Sequence, residues 1–137
     1  MSIKQYIQSQ VDPHFSVDDE LPFLTEVKMI PKNTIISPCH KIEQYAYFLL
    51  SGIVKISIYN EDGNERVLDF FFPNSFFAAY TSFLTQQPSD VEIETLTTCE
   101  VEIIKHAEIH HAYETSLLAN RLGRVVAEQY YIRKIII

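Results

Sequence analysis

Apolar and polar positions divide the chain into three stretches with different periods. Over residues 1–26, Ile3, Tyr6 and Ile7 recur at helical spacing, and Asp12-Pro13 closes that run. Ser16, followed by Asp18, Asp19 and Glu20, reads as an N-cap with acidic first-turn residues. That predicts a second, short helix, which Pro22 shortens or restarts. Over residues 27–104 the apolar runs are short and rich in β-branched and aromatic residues, which predicts strands at 34–36, 45–50, 53–59, 66–72, 91–95 and 99–104. Turn residues separate them, at Pro31-Lys32-Asn33, Ser37-Pro38, Ser51-Gly52, Pro73-Asn74-Ser75 and Gln87-Pro88-Ser89. Lys55 and Ser57 alternate with Val54, Ile56 and Ile58, and Asp62-Gly63 after them predicts a hairpin. So many short strands predict an antiparallel barrel, roll or jelly roll, a mainly β fold with flanking helices. Over residues 105–137 the period becomes helical. Leu118, Leu122, Val125, Gln129 and Ile132 form a heptad-like stripe on a long helix beginning near Glu114, which Gly123 weakens slightly. The stripe runs on to Ile135-Ile136-Ile137, an apolar end that implies a partner surface or a continuation.

Composition narrows the function classes. A chain of 137 residues, 47% hydrophobic and 21% charged, is one folded domain rather than a disordered segment. No apolar run approaches the roughly 18 residues of a membrane span. The start Met1-Ser2-Ile3-Lys4-Gln5 lacks a secretory pattern, so a cytoplasmic protein with no membrane partner is expected. With 18 acidic against 11 basic residues, a net charge of -7, direct DNA binding is not expected, because phosphate binding needs many Lys and Arg contacts. Two cysteines exclude a disulfide scaffold, and three glycines, Gly52, Gly63 and Gly123, exclude glycine-rich phosphate loops.

Candidate chemistry is sparse. His106 and His110 share a helix face beside His111, but a metal site needs three or four ligands, and surface or interface histidines are the simpler reading. Cys39-His40, in a loop bounded by Pro38, is a weak metal or haem pair and reads as structural. Cys99 falls in a predicted buried strand, where a thiol acts as a small hydrophobe. Phe70-Phe71-Phe72, Phe76-Phe77 and Phe83 form an aromatic cluster that reads first as core and second as an apolar pocket. No catalytic residue, metal ligand or cofactor is assigned, and no enzyme activity is expected.

The run Tyr45-Ala46-Tyr47-Phe48-Leu49-Leu50-Ser51-Gly52-Ile53-Val54-Lys55-Ile56 resembles the central signature of the cyclic-nucleotide-binding fold, as in Crp/Fnr transcription regulators. Asn60 to Leu68 is similar to the next hairpin of that family, and Pro73-Asn74-Ser75-Phe76-Phe77 to the turn leading into its phosphate-binding cassette. Cys99-Glu100-Val101-Glu102-Ile103-Ile104 resembles its last roll strand. The resemblance covers residues 20–134. The periods above divide the chain into an N-terminal helical segment over 1–26, strands over 27–104 and C-terminal helices over 105–137; the resemblance implies that the strands form a double-stranded β-roll and that the long helix serves dimerisation. Cupin enzymes share a similar roll but need clustered histidines on its strands, and residues 45–104 contain none.

The cassette departs from the family pattern. Nucleotide-binding members supply a Gly-Glu pair and, about ten residues later, an Arg followed by a hydroxyl residue. Ala78 and Ala79 stand at the first pair here, and Ser89 and Asp90 at the second. A methyl replaces the carboxylate that takes the ribose hydroxyl, and Asp90 would repel a phosphate left without its charge-assisted partner. The usual cyclic nucleotide is therefore not expected, although Arg66 or Lys105 remains an alternative source of the cation. The altered cassette residues Phe77, Ala78, Ala79, Tyr80, Ser89 and Asp90 become the candidate site for an unidentified small ligand, with Tyr80 as a polar handle. Leu118, Leu122, Val125, Gln129 and Ile132 pack either on the chain's own roll or on a twin, and the resemblance favours the second, which makes them the candidate seam of a homodimer. The resemblance also implies a helix-turn-helix domain after Tyr130-Tyr131-Ile132-Arg133-Lys134, but three residues remain after Lys134. The expected role is a regulatory sensor domain of a transcription regulator, or a stand-alone small-ligand module.

Overall fold

A computed structural model describes the backbone of residues 1–136 and the side chains of residues 1–133; the apolar side chains of 135–137 singled out above lie outside the described residues. The elements are α1 (Ile3–Gln10), β1 (Glu26–Ile30), β2 (Ile35–Ser37), β3 (Tyr45–Ser51), β4 (Val54–Tyr59), β5 (Glu65–Phe71), β6 (Phe76–Phe77), α2 (Tyr80–Thr85), β7 (Glu92–Thr95), β8 (Cys99–Lys105), α3 (His106–Thr115) and α4 (Leu117–Ile136). The strands form two four-stranded antiparallel sheets, β1-β8-β3-β6 and β2-β7-β4-β5, which is the expected β-roll with flanking helices and a long C-terminal helix.

The two sheets face one another across a core that contains Tyr47, Leu49, Val54, Ile56, Phe71, Phe77, Ile93, Cys99 and Val101. The first sheet is covered on its other face as well. There Phe48 and Ile104 meet Ile3, Tyr6 and Ile7 of α1, Ala112 of α3, and Ala119 and Leu122 of α4. Burial on both faces explains why β3 reads as an unbroken apolar run, whereas β4 alternates. The outward face of β4 carries Lys55, paired with Glu65 at 2.9 Å and Glu94 at 3.4 Å. Asp62-Gly63 turns the β4–β5 hairpin as predicted, with Gly63 at φ 81° and Asn60 Oδ1 accepting from the Asp62 and Asn64 amides. Gly52, at φ 97°, is required by space as well: a Cβ there would lie 2.6 Å from Cys99 Sγ and 2.7 Å from the Thr98 carbonyl. Cys99 is fully buried in that contact, the role expected of it.

Two expected helices differ. The segment after Ser16 closes into a single turn. The Ser16 amide donates to the Asp19 carboxylate, the Asp18 amide to the Ser16 hydroxyl, and the Asp19 amide to the Ser16 carbonyl. The side chains bind their own backbone instead of capping a longer run, and Pro22 has no N–H with which to continue one. The N-terminal helical segment is thus α1 alone. The long helix begins at Leu117 rather than near Glu114, because Ser116 is extended (φ -130°, ψ 118°) and its hydroxyl accepts from the Ala119 amide.

The predicted seam on α4 is divided. Leu122 is buried, and Leu118 packs against the same cluster of its own chain. Gln129 accepts a 2.6 Å hydrogen bond from the Tyr6 hydroxyl of α1. Val125 is half-buried and Ile132 is exposed. The helix is therefore rotated so that Ala119, Leu122, Val126 and Tyr130 meet the roll, while Leu117, Tyr131 and Ile132, at 68%, 66% and 54% exposure, face outward. Gly123 has a role in this docking, since a Cβ there would lie 2.6 Å from the Tyr113 hydroxyl of α3.

Candidate ligand pocket

The cassette is built by the strand end β6, the pair Ala78-Ala79, the six-residue helix α2, and the turn Gln87-Pro88-Ser89-Asp90 that leads to β7. α2 is flanked by Ala79, which gives it no side-chain cap, and by Gln86, which adopts the left-handed conformation (φ 56°). Gln86 Nε2 donates to the Glu43 and Phe83 carbonyls, and this fixes the turn. Ser82 Oγ accepts from the Glu43 amide at 2.9 Å and donates to the Gln87 carbonyl. The cassette is thereby held to the loop before β3.

Between the cassette, the β4–β5 hairpin and α4 lies a cavity of about 460 Å³. Five of the six predicted cassette residues line it: Ala78, Ala79, Tyr80, Ser89 and Asp90. Phe77 does not. It is buried in the inter-sheet core, stacked on Tyr47 with ring centroids 5.0 Å apart, and lines only a smaller apolar cavity under α4. Ala79 is 1% exposed and presents only a methyl. The Ser89 hydroxyl is engaged in its own turn, accepting from the Val91 amide at 3.0 Å. Asp90 is exposed.

Asp69, Tyr130 and Arg133 also line the cavity, and none was expected there. Asp69 arrives through a register shift: Ile56 pairs with Asp69 but the next residue, Ser57, pairs with Val67. The bulge at Leu68 breaks the period of two, so Leu68 and Asp69 both line the cavity. Arg133 comes from α4. Its Nη2 donates to Asp69 Oδ1 at 2.9 Å and to the Phe70 carbonyl at 2.6 Å, its Nε donates to Asp69 Oδ2, and its guanidinium carbon lies 4.7 Å from the Phe71 ring centroid. The Arg133 hydrogen bond holds the Asp69 carboxyl below the usual carboxylate range. Tyr130, one helical turn earlier, stacks on Tyr80 with ring centroids 4.6 Å apart, and its hydroxyl accepts from the Ala78 amide and donates to the Phe76 carbonyl. Burial pushes the Tyr130 and Tyr80 phenols up, so both remain neutral donors. Arg66 and Lys105, the alternative cations, do not line the cavity. A signal for Asp69 was present in the sequence, as the one charge inside the run Val67 to Phe72.

Behind the cassette, Glu43 is only 5% exposed. Its Oε2 accepts from the Ser37 hydroxyl at 2.7 Å, and its Oε1 makes no hydrogen bond among the described residues. Burial pushes its carboxyl up to about 7, against the opposing pull of the Ser37 hydroxyl and the Ala79 amide.

The other candidates stand apart from this site. His106 and His110 stack with centroids 3.9 Å apart, and His106 meets the Phe83 edge. Among the described residues no three of His, Cys, Asp and Glu gather as a metal site. Cys39 Sγ lies 3.8 Å from the Asp90 carbonyl, outside the cavity lining. No described helix is long and apolar enough to cross a membrane.

Residues 27–116 match the model of the cyclic nucleotide-binding domain. Curated relatives called CRP-like protein Clp, from Xanthomonas campestris pv. campestris and Xanthomonas oryzae pv. oryzae, are 30% identical over 71 residues, which is 52% of this chain. The match takes in 31% of those relatives' length, so the chain corresponds to a part of them. Among solved structures, the c-di-GMP responsive global regulator CLP of Xanthomonas campestris is similar with a TM-score of 0.72 at 24% identity, covering 81% of this chain and 55% of that one. The catabolite activator protein of Thermus thermophilus is similar with a TM-score of 0.67 at 18% identity, covering 81% of this chain and 52% of the other. At such identities these likenesses establish the fold.

Proposed function

The chain belongs to the cyclic nucleotide-binding domain family as a Crp/Fnr-type regulatory domain, and we propose that its cassette serves a small ligand other than a cyclic nucleotide. The observation that carries this reading is the lining of the cavity by Ala79, Ser89 and Asp90 where the family's nucleotide-binding members place a carboxylate, a guanidinium and a hydroxyl. A cyclic phosphate beside Asp90 meets a like charge and no cation from the cassette. The remaining surface, Ile56, Leu68, Phe71, Val91 and two tyrosines, suits an apolar or weakly polar molecule. The similar solved structure carries a regulator's name, and the Ser89 hydroxyl is engaged with the Val91 backbone, so the site reads as one of binding rather than catalysis.

Titration calorimetry and thermal shift with cyclic AMP, cyclic GMP and c-di-GMP test this. No binding tighter than about 1 mM and no rise in Tm is expected from cyclic AMP or cyclic GMP, since a ligand at its Kd stabilises by only RT ln 2. A rise of several degrees with cyclic AMP would overturn the reading.

Ligand sensing in such a domain needs an output, and we assign it to α4, which lines the cavity with Tyr130 and Arg133 and turns Leu117, Tyr131 and Ile132 outward. We read that outward face as the pairing surface of a homodimer, shifted from the seam expected from the heptad pattern. Sedimentation at high concentration is expected to give the mass of two chains, and a clean monomer contradicts it. The acidic balance, 18 against 11, fits a sensor half that leaves DNA contact to other sequence, in a cytoplasmic regulator.

A further inference from the structure

Resting on the reading of the cavity as a ligand site, we propose that the ligand is an apolar molecule with one anionic group, carboxylate, sulfonate or phosphate, and that Arg133 of α4 is the group that receives it, with Asp69 occupying that place when the pocket is empty. A guanidinium bound through two parallel N–H donors to one carboxylate is the arrangement by which arginine recognises carboxylates and phosphates. Here the Nε and Nη2 of Arg133 make it with the two oxygens of Asp69. The Nη1 donors make no hydrogen bond among the described residues, so an incoming anion engages them first and then competes with Asp69 for Nε and Nη2.

Charge within the cavity orients the ligand. Among the described lining residues Arg133 is the one cation, and Asp69 and Asp90 are the anions. Asp90 lies in the cassette turn and is exposed, so its carboxylate repels an anion at that end and, being hydrated, offers a cation little. The anionic end therefore belongs at the α4 end of the cavity, and the apolar body over Ala78, Ala79, Leu68 and Phe71. That is a binding polarity set by α4 and the hairpin rather than by the cassette. Its consequence is regulatory: Asp69 is on β5 and Arg133 on α4, so an anion that takes Arg133 competes with a contact that ties the helix to the roll.

Two fluorescent probes of like shape separate the contributions: anilinonaphthalene sulfonate, which carries the anion, and phenylnaphthylamine, which does not. The full chain is titrated with each, with Ala79→Phe as the variant that fills the cavity. The sulfonate is expected to bind at least tenfold tighter than the amine. Arg133→Gln should remove that difference while leaving the amine within twofold, Arg133→Lys should keep part of it, and Asp69→Asn should tighten the sulfonate about fivefold by removing its competitor. Equal affinities for the two probes, both abolished by Ala79→Phe, overturn the anion assignment and leave the ligand site standing. Loss of both probes together in Arg133→Gln overturns it as well, because Arg133 then only holds α4 in place. Binding of either probe that is indifferent to Ala79→Phe, or no binding of either, overturns the pocket reading and this one with it.

Discussion

Replacing Tyr130 with alanine is expected to free the C-terminal half of α4 from the roll. The side chain stacks on Tyr80, lies 6.0 Å from the Phe71 ring, and exchanges hydrogen bonds with the Ala78 amide and the Phe76 carbonyl. Truncating a packed aromatic to alanine costs about 3–5 kcal/mol. The other polar side-chain ties of this half-helix are the Tyr6–Gln129 hydrogen bond and the contacts of Arg133 with Asp69 and the Phe70 carbonyl, all partly solvated. Neither is worth enough to absorb such a loss. The cost should therefore appear locally. Amides in the last turns of α4 should lose roughly a hundredfold in hydrogen-exchange protection while those of β3 and β8 change far less. Tyr130→Phe keeps the stack and gives up only two long hydrogen bonds, of 3.3 and 3.4 Å, so its effect should be about 1 kcal/mol or less. Unchanged protection in Tyr130→Ala would mean that the helix is not held where the structure places it.

The second large effect is a dependence on pH carried by Glu43. Its carboxyl titrates near 4.5 when exposed and at about 7 in the folded chain. The folded state thus binds this proton more tightly than the unfolded state. Stability is whole below about pH 4.5, falls as pH rises through the folded value, and has lost roughly 3 kcal/mol above it. Asp69 has the opposite sign, since its folded carboxyl is depressed by Arg133; its contribution is lost only as pH falls below the ordinary value of 3.8. The two windows do not overlap. Urea unfolding at pH 5 and pH 8 separates them: the wild-type chain should be less stable at pH 8, and Glu43→Gln should be about 2–3 kcal/mol more stable than wild type at pH 8 with little difference at pH 5. An identical pH profile in the variant would show that Glu43 is not buried as described. Because Glu43 binds Ser82 of the cassette helix through its amide and Ser37 through its carboxylate, the same proton bears on the rigidity of the ligand site.

The cassette lay open to sequence reasoning because its meaning is local. Pro73-Asn74-Ser75, the short α2 segment and the Gln87-Pro88-Ser89 turn are each written in a few consecutive residues, and counting along them placed Ala78, Ala79, Tyr80, Ser89 and Asp90 on one cavity. Phe77 failed because strand residues alternate, and its position on β6 turns it into the inter-sheet core. Asp69 and Arg133 could not be paired from sequence. They are 64 positions apart, and their meeting depends on a one-residue bulge in β5 and on the rotation of α4 about its axis. The heptad stripe divides for the same reason, Leu118 and Leu122 packing within their own chain while Ile132 faces outward. Periodicity identifies a helix and its apolar side, but a helix apolar over more than one face does not declare which part meets its own roll and which is left outward.

What the sequence by itself determined is whatever neighbouring residues decide between themselves: the strand and helix periods, the Asp62-Gly63 hairpin, the family signature around Gly52, and a cassette with no cation of its own. What only the tertiary structure decided is the arrangement of groups brought together from distant positions: the two sheets burying β3 on both faces, Ser116 separating α3 from α4, Glu43 sealed from water behind the cassette, and a cation supplied to the pocket by the C-terminal helix. The physical reason is that burial and charge pairing are properties of the packed chain. A carboxylate or guanidinium acquires its environment only when segments remote in sequence close around it.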